Sequence, residues 1–307
     1  MSSRAPVIQL LLTRFRRQQP VRAGSLLITV FGDAIAPRGG AISLQSLIDL
    51  TAPFGLAERL VRTSVARLAS DDWLATRKVG RLSEYRLSDT GRRRFSEATR
   101  RIYAGPVAHW SGRWTLILLS GLDATRRQQI REALRWEGFG ELEAGVLAHP
   151  ALTPSEARSH LAIAGFKEGP IVLESIAVDP GVDQRLVREG WDLSELAGRY
   201  TRFIKSFEPL AATPRGAGAL PPGDAFLVRT LLIHEYRKIH LRDPLLPPSL
   251  LPEDWPGTAA YELCRSIYAG VCAAAEYHLT ACASRLDGPL PDAQASLYQR
   301  FGGHGRA

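Results

Sequence analysis

Residues Ile42 to Ser88 read ISLQSLIDLTAPFGLAERLVRTSVARLASDDWLATRKVGRLSEYRLS, and their order decides the fold: two short helices joined by a turn, then a basic two-stranded ribbon. Ser43 can cap a helix that carries Leu44, Leu47, Ile48 and Leu50 on one side, and Pro53 with Gly55 then stops it. From Leu56 to Ala69 the apolar residues Leu56, Leu60, Val61, Val65 and Leu68 recur at three- and four-residue spacing, while Arg59, Arg62, Thr63 and Arg67 fall on the opposite face. The ribbon runs from Leu74 to Val79, turns at Gly80-Arg81 and returns through Ser83 to Leu87. This is the element order of a winged helix-turn-helix, and it predicts a protein that reads duplex DNA.

The residue types suit that task. A guanidinium presents a planar donor fork that grips guanine O6 and N7 or clamps a phosphate, so Arg62, Thr63 and Arg67, with Arg59 beside them, are expected at the groove. Glu58 either accepts from a cytosine amine or pairs with Arg62. Arg77, Lys78, Arg81 and Arg86 make the ribbon a basic wing that grips backbone. Arg38 and Ser43, just ahead of the first of these helices, complete the expected DNA contacts. For a lone arginine-rich helix a solvated surface is the better explanation; the element order and the wing turn the balance to DNA.

Charge is divided along the chain. Residues 1–105 hold 18 Lys and Arg against 8 Asp and Glu, a net of +10 within a whole-chain balance of +8, so the remainder carries 21 against 23. Such a patch attracts a phosphate backbone by counterion release, and the nearly neutral remainder needs a different task.

At 307 residues and 45% hydrophobic composition the chain can bury two or three cores. Cys264, Cys272 and Cys282, spaced by eight and ten, fit neither a disulfide framework nor a zinc knuckle and read as reduced cysteines of a cytoplasmic protein. Val7 to Leu12 is too short for a membrane span, and Arg14, Arg16 and Arg17 follow it. The first 22 residues lack acids, as organellar presequences do, but a frayed helix or an arm on the DNA side is the simpler reading.

A first helix is expected within Val21 to Ala36, with Leu26, Leu27, Val30 and Phe31 on its apolar face, and a polar helix from Asp89 to about Ala104. The Arg92-Arg93-Arg94 run of the latter is either a phosphate contact or a solvated face. The middle of the chain alternates strand Trp114 to Leu119, helix Ala124 to Trp136, strand Leu142 to Leu147, helix Pro154 to Ala164 and strand Ile171 to Val178, a split βαβ, ferredoxin-like pattern. Thr153-Pro154-Ser155-Glu156 is a capping box with proline at the first helical position. The last third reads helical at Leu193 to Phe207, Asp224 to Leu241 and Ala259 to Leu279, with a Gly- and Pro-rich linker from Pro214 to Gly223. The apolar, proline-rich run from Asp243 to Trp255 is expected to pack across a domain surface. The expected class is therefore α+β, with a winged helix-turn-helix and linker helix at 1–107, a ferredoxin-like domain at 108–190 and a helical effector and dimerisation domain at 191–307.

Catalytic readings fare poorly. His234-Glu235-Tyr236-Arg237-Lys238 begins like the zinc protease helix motif, but Lys238 stands where the second imidazole is needed and His240 comes two positions late. Asp123, after the first strand of the ferredoxin-like pattern, could hold a metal for a nuclease; the plainer reading is a helix cap. No Ser, His and acid set, Walker loop or dinucleotide fingerprint stands at usable spacing. The competing classes are a metal-dependent nuclease and a CoA-thioester hydrolase, and the expectation is no enzyme, no metal and no cofactor.

The sequence also resembles the PaaX family of bacterial transcriptional repressors over nearly its whole length. Ser25-Leu26-Leu27, Phe31-Gly32-Asp33, Arg38-Gly39-Gly40, Glu58-Arg59, Val61-Arg62-Thr63 and Arg67-Leu68 carry the likeness, followed by Val79-Gly80-Arg81, Leu87-Ser88-Asp89 and Trp136-Glu137-Gly138-Phe139-Gly140. Leu231-Leu232-Ile233-His234, Asp243-Pro244-Leu245-Leu246-Pro247 and Arg300-Phe301-Gly302-Gly303 extend it to the C-terminus. The resemblance implies a cytoplasmic, nucleoid-associated homodimer that binds pseudo-palindromic operators of phenylacetic acid catabolism genes and is released by phenylacetyl-CoA. An aryl-CoA effector calls for bases at its phosphates and an aromatic-lined pocket at its acyl end. Arg199, Tyr200, Arg202 and Lys205 on one helical segment, and His234, Tyr236, Arg237 and Lys238 on another, are the candidate groove, with ordinary surface bases flanking a helical core as the plainer reading. The N-terminus is longer and more basic than expected of the family, and Glu235 adds an acid beside that groove. Effector site and wing are expected to communicate through the middle domain alone.

Overall fold

The computed structural model describes residues 4–18, 23–105, 109–179, 181–212 and 220–303. In chain order the elements are α1 (Pro6–Arg17), α2 (Ala23–Val30), β1 (Ala41–Ser43), α3 (Leu44–Thr51), α4 (Glu58–Ser70), β2 (Leu74–Val79), β3 (Leu82–Leu87) and α5 (Asp89–Tyr103). There follow β4 (Arg113–Leu118), α6 (Ala124–Arg135), β5 (Gly140–Glu143), β6 (Val146–His149), α7 (Pro154–Ile163), β7 (Ile171–Ile176) and α8 (Val182–Gly190). The last are α9 (Leu193–Ala211), α10 (Pro222–His240), α11 (Pro256–Cys282), β8 (Ser284–Arg285), β9 (Gly288–Pro289) and α12 (Ala295–Tyr298). They divide into two compact units, one of Met1–Gly105, Arg202–Leu241 and Ala259–Ala307, the other of Pro106–Thr201 and Arg242–Thr258. The helical last third contributes to both units.

In the first unit α3, a short turn and α4 are followed by the β2–β3 ribbon, which is paired in register from Leu74 opposite Leu87 to Val79 opposite Leu82. The ribbon is wider than the sequence suggested. β1 pairs antiparallel with β3, Ala41 opposite Arg86, giving a three-stranded sheet of order β1-β3-β2. Gly39 and Gly40, at φ +84° and +73°, turn the chain into β1, a conformation that side chains with a Cβ rarely accept. The predicted Val21 to Ala36 helix is a shorter α2 that loosens into a π turn at Phe31–Ile35 and a 3-10 turn at Ala36–Arg38; Val21 and Arg22 lie outside the described residues. α1 is a packed helix with Ile8, Leu11, Leu12 and Phe15 buried, not a frayed arm. Arg16 donates to the Phe54 and Pro53 carbonyls at 3.2 and 2.8 Å, tying α1 to the turn between α3 and α4.

The first unit closes around charge. Asp33, on the π turn, lies 2.9 Å from Arg229 of α10 and 2.9 Å from Arg300, and its Oδ1 accepts the Tyr103 and Tyr268 hydroxyls at 2.6 and 3.0 Å. Glu276 of α11 takes Arg229 on one oxygen at 2.6 Å and Arg38 on the other at 2.6 Å. All five ionised groups are 5% exposed or less except Glu276, at 7%. Burial works against the charge on Arg229, but Asp33 and Glu276 outweigh it and hold its pKa well above the ordinary arginine value. Burial likewise raises the Tyr103 and Tyr268 phenols, so both stay protonated and donate to Asp33.

In the second unit the order is βαββαβ, with an antiparallel sheet β5-β6-β4-β7, which is the ferredoxin-like arrangement. The expected single strand Leu142 to Leu147 is instead the β5–β6 hairpin, turned at Ala144-Gly145. One sheet face buries Ile117, Leu119, Leu147 and Val172 against Ile130 and Leu134 of α6 and Ala157 and Leu161 of α7. The other buries Trp114 and Ala148 under Val187 of α8, a helix the sequence reading missed, and under Leu246 and Leu250 of the proline-rich run, which packs as expected. Gly140 allows α8 to approach, since a Cβ there would stand 2.6 Å from the Gly190 carbonyl and from the Trp191 ring. The Thr153 capping box is formed.

Glu276→Ala would leave Arg38 and Arg229 buried without their shared counter-charge, and the expected loss is about 3–5 kcal/mol of stability. Chemical denaturation checks this, and a loss below about 1 kcal/mol would mean that the charge cluster does not hold the unit together.

Candidate nucleic-acid interface

α4 buries Val61, Val65 and Leu68 and turns Arg59, Arg62, Thr63 and Arg67 to solvent, as its periodicity predicts, whereas Leu60, expected on the packed face, stands 37% exposed beside Arg59. The exposed face is organised. Arg62 donates from Nε to Glu58 Oε1 at 2.8 Å, so the carboxylate one turn earlier orients the fork along the helix. Arg67 lies 3.8 Å from Asp71, and the Thr63 hydroxyl donates to the Arg59 carbonyl at 2.9 Å, leaving its methyl and lone pairs outward. Both ion pairs are exposed, and a base or phosphate can displace them at little cost.

Lys78 and Arg81 are exposed at the tip of the wing, flanked by Val79 and Leu82, 51% and 61% exposed. Arg77 is also exposed, but its terminal nitrogens meet Asp287, which follows β8. Behind the wing, Arg94 of α5 stacks over the Trp73 ring at 4.8 Å and donates to the Asp71 carbonyl, so part of the Arg92-Arg93-Arg94 run braces the ribbon.

Two expected contacts point inward. Arg38 is 3% exposed and spends its donors on Glu276, Thr280 and the Pro291 carbonyl, which leaves its guanidinium in the interior. Ser43 is 8% exposed and accepts the Ser46 N–H at 3.2 Å: it is the helix cap its position suggested and faces no ligand.

The geometry of a basic helix face beside a basic wing agrees with the similarity of the whole chain to known proteins. It matches, in sequence, the model of PaaX-like protein at residues 22–91, that of the PaaX protein central Cas2-like domain at 107–187 and that of the PaaX-like protein C-terminal domain at 191–281. It is 38% identical over 288 residues to the Transcriptional repressor PaaX of Escherichia coli (strain K12), covering 92% of this chain and 91% of the relative. This chain belongs to the PaaX family. Among solved structures it is similar to the Uncharacterized protein Rv0674 from Mycobacterium tuberculosis, at 25% identity, TM-score 0.49, over 75% of this chain and 88% of that one.

Most of the candidate effector residues of this PaaX-family chain are buried or paired within their own unit. Tyr200, in the second unit, is 1% exposed and donates to Asp243 at 2.7 Å, while Arg199 lies 3.8 Å from Glu195. In the first unit His234, 1% exposed, meets Thr29 Oγ1 at 3.0 Å, and Tyr236, fully buried, stacks on His240 and meets Phe203. Arg237 donates to Thr29 and twice to Ser25 at 2.7–2.8 Å, and Lys238 reaches Glu235 and Gln18. These groups staple α10 to α2 and to the end of α1. Burial, with Arg237 and Lys238 nearby, pushes the His234 imidazole well below its ordinary pKa, and burial brings Arg237 down to about 10. Arg202 and Lys205 are the members that face solvent.

Asp123 accepts the Arg126 N–H at 2.9 Å and caps α6. Among the described residues no group of three or more His, Cys, Asp and Glu could hold a metal ion, and no helix is long and apolar enough to cross a membrane. The three cysteines are unbridged, Cys264 and Cys272 buried and Cys282 exposed. The sequence reading missed the interior acids Asp33 and Glu276. Their partner Arg229 did leave a signal, as a single charge in the apolar run Phe226-Leu227-Val228-Arg229-Thr230-Leu231-Leu232-Ile233.

Arg38→Ala is expected to lower the denaturation midpoint while leaving the salt slope of DNA binding by the folded protein unchanged. Arg81→Ala should do the reverse, flattening the slope by about 0.9 with stability within about 0.5 kcal/mol of the parent. A flattened slope in Arg38→Ala would return that side chain to the interface.

Proposed function

We propose that this chain is a transcriptional repressor that works as a homodimer on duplex operator DNA of phenylacetic acid catabolism genes, in the cytoplasm at the nucleoid, and is released by an aryl-CoA thioester such as phenylacetyl-CoA. The observation that carries the DNA reading is the solvent-facing row of Arg59, Arg62, Thr63 and Arg67 on a helix anchored by Val61, Val65 and Leu68, beside Lys78 and Arg81 of the wing. Family membership and the likeness to the Transcriptional repressor PaaX of Escherichia coli support repression. The effector and the dimer rest on what membership in that family implies.

The physics of the reading is simple. A two-fold dimer sets its recognition helices in successive major grooves about 34 Å apart, and occupancy near a promoter blocks polymerase. Phosphate contacts from the wing supply affinity and register, and base contacts from α4 supply sequence preference. An effector that binds better to a conformer with misplaced reading heads empties the operator by mass action, and its preference between the two states limits the shift.

Fluorescence anisotropy on the DNA upstream of the protein's own gene, with non-specific competitor, tests each part. Binding that phenylacetyl-CoA reverses and that free phenylacetate and plain CoA do not is the expected outcome; specific binding indifferent to all three removes the effector, and no specific binding removes the repressor. Arg62→Ala should cost about 1–3 kcal/mol and relax base preference if Arg62 reads a base, whereas a uniform loss across sequences makes it a phosphate contact.

A further inference from the structure

The C-terminal arm of the first unit reaches the wing. After α11 the chain forms the β8–β9 hairpin, with Ser284 opposite Pro289 and Arg285 opposite Gly288, so that Leu286 and Asp287 form its tip. The Ser284 N–H donates to Ser46 Oγ of α3 at 3.0 Å, and the Leu286 N–H donates to Glu84 Oε2 of β3 at 2.9 Å. Asp287 then meets Arg77 of β2 with both oxygens, Oδ1 accepting from Nη2 at 3.1 Å and Oδ2 accepting from Nη1. The pair lies at the surface, with side chains 42% and 61% exposed.

Position and chemistry give this contact meaning. Arg77 stands on the basic ribbon two residues before Val79, opposite Glu84, which is 4% exposed and whose Oε1 lies 3.9 Å from Arg77 Nη1, a looser contact than the two-pronged one with Asp287. The donor fork that Asp287 fills is the one that would otherwise clamp a phosphate, because carboxylate and phosphate accept from a guanidinium in the same bidentate way. The hairpin is held at both ends by one buried group: Arg38 binds Glu276 and Thr280 before it and the Pro291 carbonyl after it. Gln294 N donates to the Pro37 carbonyl at 2.9 Å and secures the return. The hairpin is therefore anchored at its base by Arg38 and Pro37 as well as by its continuity with α11, while Lys78 and Arg81 at the tip of the wing stay exposed.

We propose that Asp287 is a positioning residue that withholds Arg77 from DNA phosphates, so that the placement of the C-terminal hairpin sets how many phosphates the wing grips. This rests on the DNA-binding function proposed above. An exposed ion pair is weak and screened, so phosphate displaces it without unfolding anything, and a small displacement of the hairpin tip is enough to change the competition. Asp287→Asn removes the bidentate competitor, keeps only the longer Glu84 contact on Arg77 and leaves the fold of an exposed tip intact.

The test measures binding to a non-specific duplex as a function of salt for the full chain and for Asp287→Asn, Asp287→Glu, Arg77→Ala and the Asp287→Asn/Arg77→Ala double variant. The gate predicts that Asp287→Asn binds about two- to five-fold more tightly. Its log–log salt slope steepens by about 0.9, the increment of one phosphate contact. Asp287→Glu should behave as the parent, and the double variant should match Arg77→Ala alone. Unchanged or weaker binding by Asp287→Asn overturns the gate, and so does a gain that persists without Arg77, since it would then report only a lost negative charge near DNA. If the parent chain shows no salt-dependent binding to any duplex, the DNA-binding function falls and the gate falls with it.

Discussion

Three guanidiniums and two carboxylates buried together are the constraint on which the first unit depends. Asp33 comes from the π turn after α2, Arg38 from the turn after it, Arg229 from α10, Glu276 from α11 and Arg300 from the segment after α12. Taking such groups out of water is costly, and removing one partner strands the others. The cluster is therefore poor evidence for extra stability and good evidence for a specified arrangement: the ends of the chain and its helical third must meet in one register or leave bare charge in the interior. The π turn has a part in this, since a regular helix continuing from Val30 would send Asp33 in another direction.

One consequence is that the DNA-reading head and the C-terminal helices belong to a single compact unit. α10 is stapled to α2 through Arg237, Ser25 and Thr29, and α11 carries the hairpin that touches α3, β2 and β3. The expectation that wing and helical region communicate only through the ferredoxin-like domain is replaced by a direct connection within that unit. Residues first considered for the effector, His234, Tyr236 and Arg237, are part of this internal bracing.

The parts legible in the sequence were those where side-chain period and capping agree. α4 and β2–β3 follow from three- and four-residue spacing and from a Gly-Arg turn, and the Thr153 capping box marks the start of α7. β1 was illegible because three residues that follow a glycine pair and end on the helix cap Ser43 are too few to show alternation. The β5–β6 hairpin was read as one strand because Ala144-Gly145 lacks the usual Asn-Gly or Asp-Gly signal and the flanking residues continue the same apolar pattern. α8 had a visible apolar pair, Leu186 and Val187, in an otherwise polar stretch. The interior charges were hardest to see: Arg38 resembles a surface arginine, and only its partners, more than 230 residues away, turn it inward. The exposure of side chains such as Arg62 and Arg81 depends on the local element and was readable; the placement of buried charges depends on the fold.

Magnitudes also indicate where regulation can act. Coupling between a ligand site and a distant site is typically about 1–3 kcal/mol. Stripping a partner from a buried charge cluster costs about 3–5 kcal/mol, so an effector has too little leverage to open the interior of the first unit and must leave the cluster intact. What it can shift are contacts that solvent already weakens. On the DNA-facing side those are the exposed pairs Glu58–Arg62, Arg67–Asp71 and Arg77–Asp287. Two of them lie within α4 or at its end and would move with it, whereas Arg77–Asp287 joins the wing to a hairpin that α11 carries. A rigid interior with a weak contact at its edge leaves the exposed tip of the hairpin as the part that can shift, and its shift changes the number of phosphates held without melting any element around it.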